Sequence, residues 1–277
     1  MKKLALLLCL VPVVATAGPK NKKKAKKSKA APAATADADR DAALAAWQTM
    51  VERGNAGDPT SLDLMTSDGV LETVRTEASG ETRTLELPFA KLRPIWPQTM
   101  MIARMRGDID EFRDVRIEED GEGWRIRAVR YSQLKCTDDP NYTATVVRED
   151  DAWKVGRIST ATVAETQCAP SIETARGIAA RIVTEIAPLT PLTLDADTRL
   201  DSIEADGAAL TYRQTLVTTP ASEVEQIGDV FLPILTKQVC TNPPTKLLVH
   251  HGGTTQFVYV TNDGEKTLEF EVASCAD

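Results

Sequence analysis

The two histidines of the chain stand together at His250-His251, followed by Gly252-Gly253. Paired imidazoles could ligate a metal, and a His-Gly-Gly run could supply the backbone donors of an esterase oxyanion loop. Adjacent side chains diverge on either a helix or a strand, so the pair makes a poor metal site without further ligands. The esterase chemistry also needs a Gly-x-Ser-x-Gly elbow to present its nucleophile, and the sequence has none. The expectation is a polar helix end before a glycine stop. Asp138, Asp139 and Tyr142 form a second polar group, but they fall between two predicted strands, where turn chemistry is the expectation. No Walker loop, dinucleotide glycine motif, zinc-protease motif or Cys–His nucleophile pattern occurs. No catalytic residue, cofactor-binding residue or metal ligand is therefore assigned, and no cofactor is expected.

The cysteines carry the remaining chemistry, and their meaning depends on compartment. Lys2 and Lys3 precede an apolar run from Leu4 to Val14, and Ala15-Thr16-Ala17 supplies small residues before Gly18. This order reads as a secretory leader, residues 1–17, cleaved near Ala17. The run is too short for a membrane helix, and no later stretch reaches the ~20 apolar residues that one needs. The mature protein is expected to be periplasmic or secreted. Cys9 leaves with the leader, so Cys136, Cys168, Cys240 and Cys275 remain. Four cysteines in an oxidising compartment read as two disulfides, with three pairings open at this stage.

Charge is distributed unevenly. Residues 18–37 are expected to form a disordered linker carrying Lys20, Lys22, Lys23, Lys24, Lys26, Lys27 and Lys29. Residues 41–277 hold 23 positive and 38 negative side chains, a balance of −15. A cationic arm on an acidic body suits an anionic envelope surface, whereas the acidic body and the compartment argue against nucleic acid. A solvated spacer is the alternative reading of the arm; a protein partner in the envelope is the other expected class. Oligomeric state is left open.

The residues from 38 to 168 predict one body. Leu44, Trp47, Met50 and Val51 recur at helical spacing up to Gly54. A short helix at 59–65 and a hairpin over 70–87 follow. Pro94 and Pro97 break a helical region in which Trp96, Met100 and Met101, with Trp124, could floor an apolar pocket. Strands at 114–118, 124–136, 141–148 and 153–163 read as an antiparallel meander. Strands 124–136 and 153–163 then run the same way, which brings Cys136 and the segment carrying Cys168 to one end of the sheet. Arg104, Arg106, Arg113, Arg116, Arg125, Arg127 and Arg130 crowd this body. Arg125 and Arg127 share one strand face and could bind an anionic ligand; pairing of the arginines with Glu118, Glu119 and Glu122 on the solvent face is the expectation.

Helices first and a curved sheet afterwards, closing on Trp153-Lys154-Val155-Gly156-Arg157, resembles the nuclear transport factor two-like superfamily over about residues 40–165. That resemblance implies a cone-shaped α+β domain. In enzymatic members an Asp or His in the cone does acid–base work. This body has no histidine, so the resemblance implies a pocketed or partner-binding scaffold rather than an enzyme.

Residues 169–277 predict a second body in the order α-β-β-α-β-β. Ile172, Ala175, Ile178, Ala179, Ile182, Val183 and Ile186 make one apolar helix stripe. Ser222 and Glu225 match a capping box, and Asn262-Asp263-Gly264 marks a hairpin. Cys240 and Cys275 are expected to pair, as are Cys136 and Cys168. This half is similar to bacterial cell-envelope domains with no catalytic residues to transfer. The fold class is thus two α+β domains with antiparallel sheets. The functional expectation is an exported, non-enzymatic binding or scaffold protein. The alternative is a small isomerase-like or hydrolytic enzyme using a carboxylate such as Asp138.

Overall fold

The computed structural model describes residues 33–224 and 228–275. The leader, the seven lysines of the arm and Glu225 of the expected capping box lie outside the described residues. Among the described residues, no helix is long and apolar enough to cross a membrane.

The protein is α+β, with two sheet-containing bodies. In the first, α1 (Ala33–Asn55) buries Ala43, Trp47 and Met50, as its periodicity requires. A 3-10 turn at Pro59–Leu64 is capped by Asp58, whose carboxylate accepts from the Thr60 amide at 2.8 Å. Then come β1 (Met65–Thr76), β2 (Thr82–Pro88), α2 (Phe89–Leu92) and α3 (Trp96–Arg106). Pro94 and Pro97 fall in the first turns of their helical segments, where a missing N–H costs nothing. The chain continues as β3 (Asp110–Asp120), β4 (Gly123–Ser132), β5 (Thr137–Glu149) and β6 (Ala152–Val163).

The six strands stand in the order β2-β1-β6-β5-β4-β3. The meander from β3 to β6 is antiparallel, but β1 pairs with β6 in parallel, Leu71 opposite Ile158. α1 and α3 cover the concave face over a core of Trp47, Leu62, Phe89, Trp124, Ile126, Val146 and Val155. Phe112 sits edge-on to Trp47 at 5.1 Å and to Tyr142 at 4.8 Å.

One expected loop is part of a strand. The chain reverses at residues 133–136, where the Cys136 amide donates to Ser132 O at 2.8 Å and Cys136 takes φ +52°. It re-enters the sheet at Thr137, so Asp138 and Asp139 pair with Tyr131 and Arg130 on β4. The Asp-Asp-Pro-Asn composition of residues 138–141 suggested a turn; the reversal had already happened five residues earlier, at 133–136.

The second body holds α4 (Ile172–Ile186), β7 (Leu192–Thr193), β8 (Thr198–Asp206), β9 (Ala209–Leu216), α5 (Ala221–Val224), α6 (Gly228–Thr241), α7 (Pro243–His250), β10 (Thr254–Thr261) and β11 (Thr267–Val272). The sheet order is β11-β10-β9-β8-β7, with β9 and β10 parallel. α4 buries Ala175, Ile178, Ala179 and Ile182, and Ser171 caps it. His250 and His251 end α7. The His251 Nδ1 accepts from the Ser171 amide at 3.2 Å, and the His250 ring meets Cys168 O at 3.3 Å. The pair therefore ties α7 to the start of the second body. No metal-holding group of His, Cys, Asp or Glu occurs among the described residues.

Disulfides join Cys136 to Cys168 and Cys240 to Cys275, with Cα separations of 5.0 and 5.6 Å. α3 joins the bodies. Its Met105 is buried in the second core with Ile178, Ile182 and Leu247. Arg104 holds Glu185 of α4 through two bonds of 2.7 and 2.6 Å. Met105→Ala should therefore lower stability by about 3 kcal/mol. Chemical denaturation followed by far-UV circular dichroism checks this, and an unchanged midpoint would separate α3 from the second core.

Candidate functional site

The concave face of the first sheet and the helices above it leave an open cavity of about 490 Å³. Its walls are largely apolar: Met50 and Val51 of α1, Leu71 of β1, Trp96 and Met100 of α3, and Ile158 of β6. Trp96 is fixed by donating its indole N–H to Ser61 Oγ at 3.1 Å. At the far wall the Tyr142 hydroxyl accepts from Trp47 Nε1 at 3.0 Å. Burial pushes the Tyr142 phenol up, so the group stays neutral.

Two of the four residues expected to floor the pocket line this cavity, Trp96 and Met100. Met101 does not. It is the next residue of α3, about 100° around the helix, and it lines a second cavity of about 230 Å³ shared with Ile182, Tyr212 and Phe257. Trp124 is a buried core residue opposite Val146 on β5 and is absent from the cavity wall. Asp138 points to the outer face, where it is paired with Arg113. A role for Asp138 in the cone is thereby corrected.

The polar wall comes from residues that composition hid. Along β4, Ile126, Ala128 and Arg130 share one parity, so the strand sends Arg130 inward while Arg125 and Arg127 pair outside with Asp120 and Glu118. A bulge in β5 between Tyr142 and Asp139 adds one residue opposite the Ala128–Arg130 stretch. Pro140, which has no N–H to offer the ladder, lies in it. The extra residue turns Asp139 inward, and only 3% of it remains exposed. Its Oδ2 accepts from Ala161 N at 2.6 Å and Thr160 Oγ1 at 3.0 Å, and its Oδ1 from Asn141 N at 3.1 Å. Arg130 lies between Asp139, at 3.8 Å, and Asp110, at 3.1 Å, and also donates to Ala161 O. Burial raises the Asp110 carboxyl against the pull of Arg130. Both carboxylate oxygens of Asp139 are engaged in this network, while Arg130 Nε is buried without a hydrogen-bond partner.

Asp108 behaves differently. It lies in the turn after α3, beside Arg106 at 3.4 Å. Its Oδ1 is buried and accepts no hydrogen bond. Burial pushes its carboxyl up to about 6; Arg106 opposes the rise and Asp110 adds to it. The residues missed by sequence reasoning, Arg130, Asp108, Asp110 and Lys135, all line the cavity. Strand parity alone could have found Arg130.

No family model matches the chain. No curated protein sequence matches it either. Solved structures do. An NTF2-like protein with a cystatin-like fold from Novosphingobium aromaticivorans is 16% identical, with 48% of this chain and 88% of that one aligned and a TM-score of 0.36. An NTF2-like protein from Cytophaga hutchinsonii is 14% identical, covering 44% and 97%, with a TM-score of 0.33. A protein of unknown function from Mycobacterium tuberculosis is 16% identical, covering 57% and 92%, with a TM-score of 0.37. The chain weakly resembles nuclear transport factor two-like proteins.

The two kinds of carboxylate make opposite predictions. Asp139→Ala strips acceptors from Ala161 N, Thr160 and Arg130 and should cost about 3 kcal/mol in urea unfolding at pH 7. Asp108→Asn removes a carboxylate whose folded value lies above its unfolded value near ~3.9. Ionising it therefore lowers stability as pH rises from 4 through 6, and the cost is complete above that range. The variant should match the wild type at pH 4. By pH 7 it should exceed it by on the order of 1 kcal/mol, allowing for the solvent contact of the side chain. Parallel unfolding curves across pH 4–8 would contradict this.

Proposed function

We propose that this protein is an exported, non-enzymatic binding protein of the cell envelope, and that the cone of its first body receives a small, mainly apolar ligand. One observation carries the reading: a cavity of about 490 Å³ walled by Met50, Val51, Leu71, Trp96, Met100 and Ile158, within the size range of small-molecule sites. Two disulfides and the leader-like residues 1–17 support export to a periplasmic or extracellular setting. The lysine arm, residues 20–29, would hold the protein near an anionic surface, and its contribution would fall with salt.

The bonding within the cone supports binding over catalysis. Asp139 and Asp110 are engaged by backbone amides, Thr160 and Arg130, so they serve as fixed polar walls. A second reading, acid–base chemistry, has a single observation in its favour. The Asp108 carboxyl is pushed up to about 6 by burial, and its buried Oδ1 accepts no hydrogen bond although Arg106 lies 3.4 Å away.

Fluorescence titration with the neutral dye N-phenyl-1-naphthylamine tests the reading. Saturable enhancement is expected in the wild type, with loss of at least about tenfold in affinity for Val51→Trp, which fills the cavity. Equal enhancement in both proteins would place the dye elsewhere and overturn the cone as the ligand site.

A further inference from the structure

A second cleft lies where the bodies meet, just outside the cone. It has a volume of about 490 Å³. Four cations line it: Arg75 from β1, Arg106 from α3, Lys135 from the turn before β5, and Lys246 from α7. Glu165 is the one acidic residue of its wall. That is an inversion of the surrounding molecule, in which residues 41–277 carry 23 positive and 38 negative side chains.

The cations are only partly neutralised. Arg75 has Glu77 at 3.1 Å, Arg106 has Asp108 at 3.4 Å, and Lys246 has Glu165 at 3.6 Å. Glu77 and Asp108 are not part of the cleft wall. Lys135 makes no ion pair among the described residues; its Nζ donates to Ala164 O at 2.8 Å. Burial, followed by the charge of Arg106, lowers the Lys135 ammonium value; Glu165 opposes this, Arg75 adds to it and Asp108 opposes it again. Three cations thus crowd one another at a place where a bound anion would relieve their repulsion.

The cleft is held in shape. Gln167 N donates to Lys135 O at 2.8 Å, Thr166 Oγ1 to Leu134 O at 2.9 Å, and Ala164 N to Thr76 O at 2.8 Å. The Cys136–Cys168 disulfide ties the same two segments together. Arg106, Leu134 and Lys135 line this cleft and the cone alike, so the cleft lies at the cone's mouth.

We propose that this cleft binds an oxyanion, the phosphate of a small phosphomonoester or of an amphiphile whose chain enters the cone. The amphiphile form rests on the cone reading given above; the phosphate site itself does not. Guanidinium and ammonium groups converging from both bodies match a multiply charged oxyanion. The neutral Lys135–Ala164 contact is the bond most easily exchanged for it.

Isothermal titration calorimetry of the full mature chain at low ionic strength, with inorganic phosphate, tests the site. Binding is expected that weakens about tenfold or more in Lys135→Ala and in Arg106→Ala. Arg75→Glu and Lys246→Glu change exposed side chains of the two bodies and should each weaken it without disturbing the circular dichroism spectrum. Asp108→Asn should tighten it. Dodecyl phosphate and dodecanol distinguish the sources. Tighter binding of dodecyl phosphate than of either phosphate or dodecanol, abolished by Val51→Trp while phosphate binding persists, identifies an amphiphile head. Phosphate binding with no gain from the alkyl chain identifies a free phosphomonoester and counts against the cone reading alone. Absence of binding by both phosphate and dodecyl phosphate, or affinities unchanged in all four cation variants, would overturn the proposal.

Discussion

The structure turns on one short helix that belongs to two cores. α3 presents Trp96 and Met100 to the cone, Met101 and Met105 to the second body, and Ile102 to both. Its C-terminus is finished by the neighbouring body. Gly107 takes φ +70°, and the Arg181 guanidinium lies 2.7 Å from where a Cβ would stand. Arg181 donates to Met105 O at 3.3 Å and Arg106 O at 3.1 Å, carbonyls that the helix end leaves without partners. A cation from α4 thus caps α3 and meets the negative end of its dipole. Any side chain at position 107 would demand both a left-handed backbone and the space that Arg181 occupies. The joint fixes Arg106 and Asp108, which flank Gly107, at the boundary of the two cavities.

This placement separates two kinds of polar chemistry within a few residues. Deep in the cone, Arg130 is sandwiched by Asp110 and Asp139, and the Asp139 carboxylate is further anchored by the Ala161 and Asn141 amides and by Thr160. Such a network is costly to open, because each buried charge loses its partner when one member moves. Its role is to seal one wall of an apolar chamber. Nearer the mouth, Asp108 and Lys135 lack that closure: the carboxylate has an unbonded oxygen and the ammonium has only a carbonyl. The mouth thus holds both an acid and a cation with unused bonding capacity.

Local order was legible in the sequence wherever one face of an element carried the signal. The α4 stripe, the Trp47 face of α1 and the alternation of β11 follow directly from periodicity. Closure of the sheets was not legible. Pairing β1 with β6 depends on contacts about 87 residues apart, such as Leu71 with Ile158, which no local pattern encodes. The site failed for a subtler reason. Asp138 and Asp139 are identical in type, and a single added residue around Pro140 sends one inward and leaves the other outside. Composition marked the segment as a turn, whereas register decided its chemistry. Met100 and Met101 were separated likewise, by the 100° step of a helix. Arg130 was readable from parity with Ile126 and Ala128, but six other arginines nearby suggested a solvent face.

The Cys136–Cys168 disulfide bears on the cleft as well as on the fold. Cys136 follows Lys135 directly, and Cys168 ends the segment 164–168 whose Ala164 carbonyl receives the Lys135 ammonium. The disulfide closes a separation of 32 residues, and in doing so it holds the turn bearing Lys135 against the wall bearing Glu165. In the reduced chain, hydrogen bonds alone would have to keep a half-buried lysine next to Arg106. Mutual repulsion and desolvation both work against that arrangement. The bond thus offsets an electrostatic strain that hydrophobic burial does not relieve at this position.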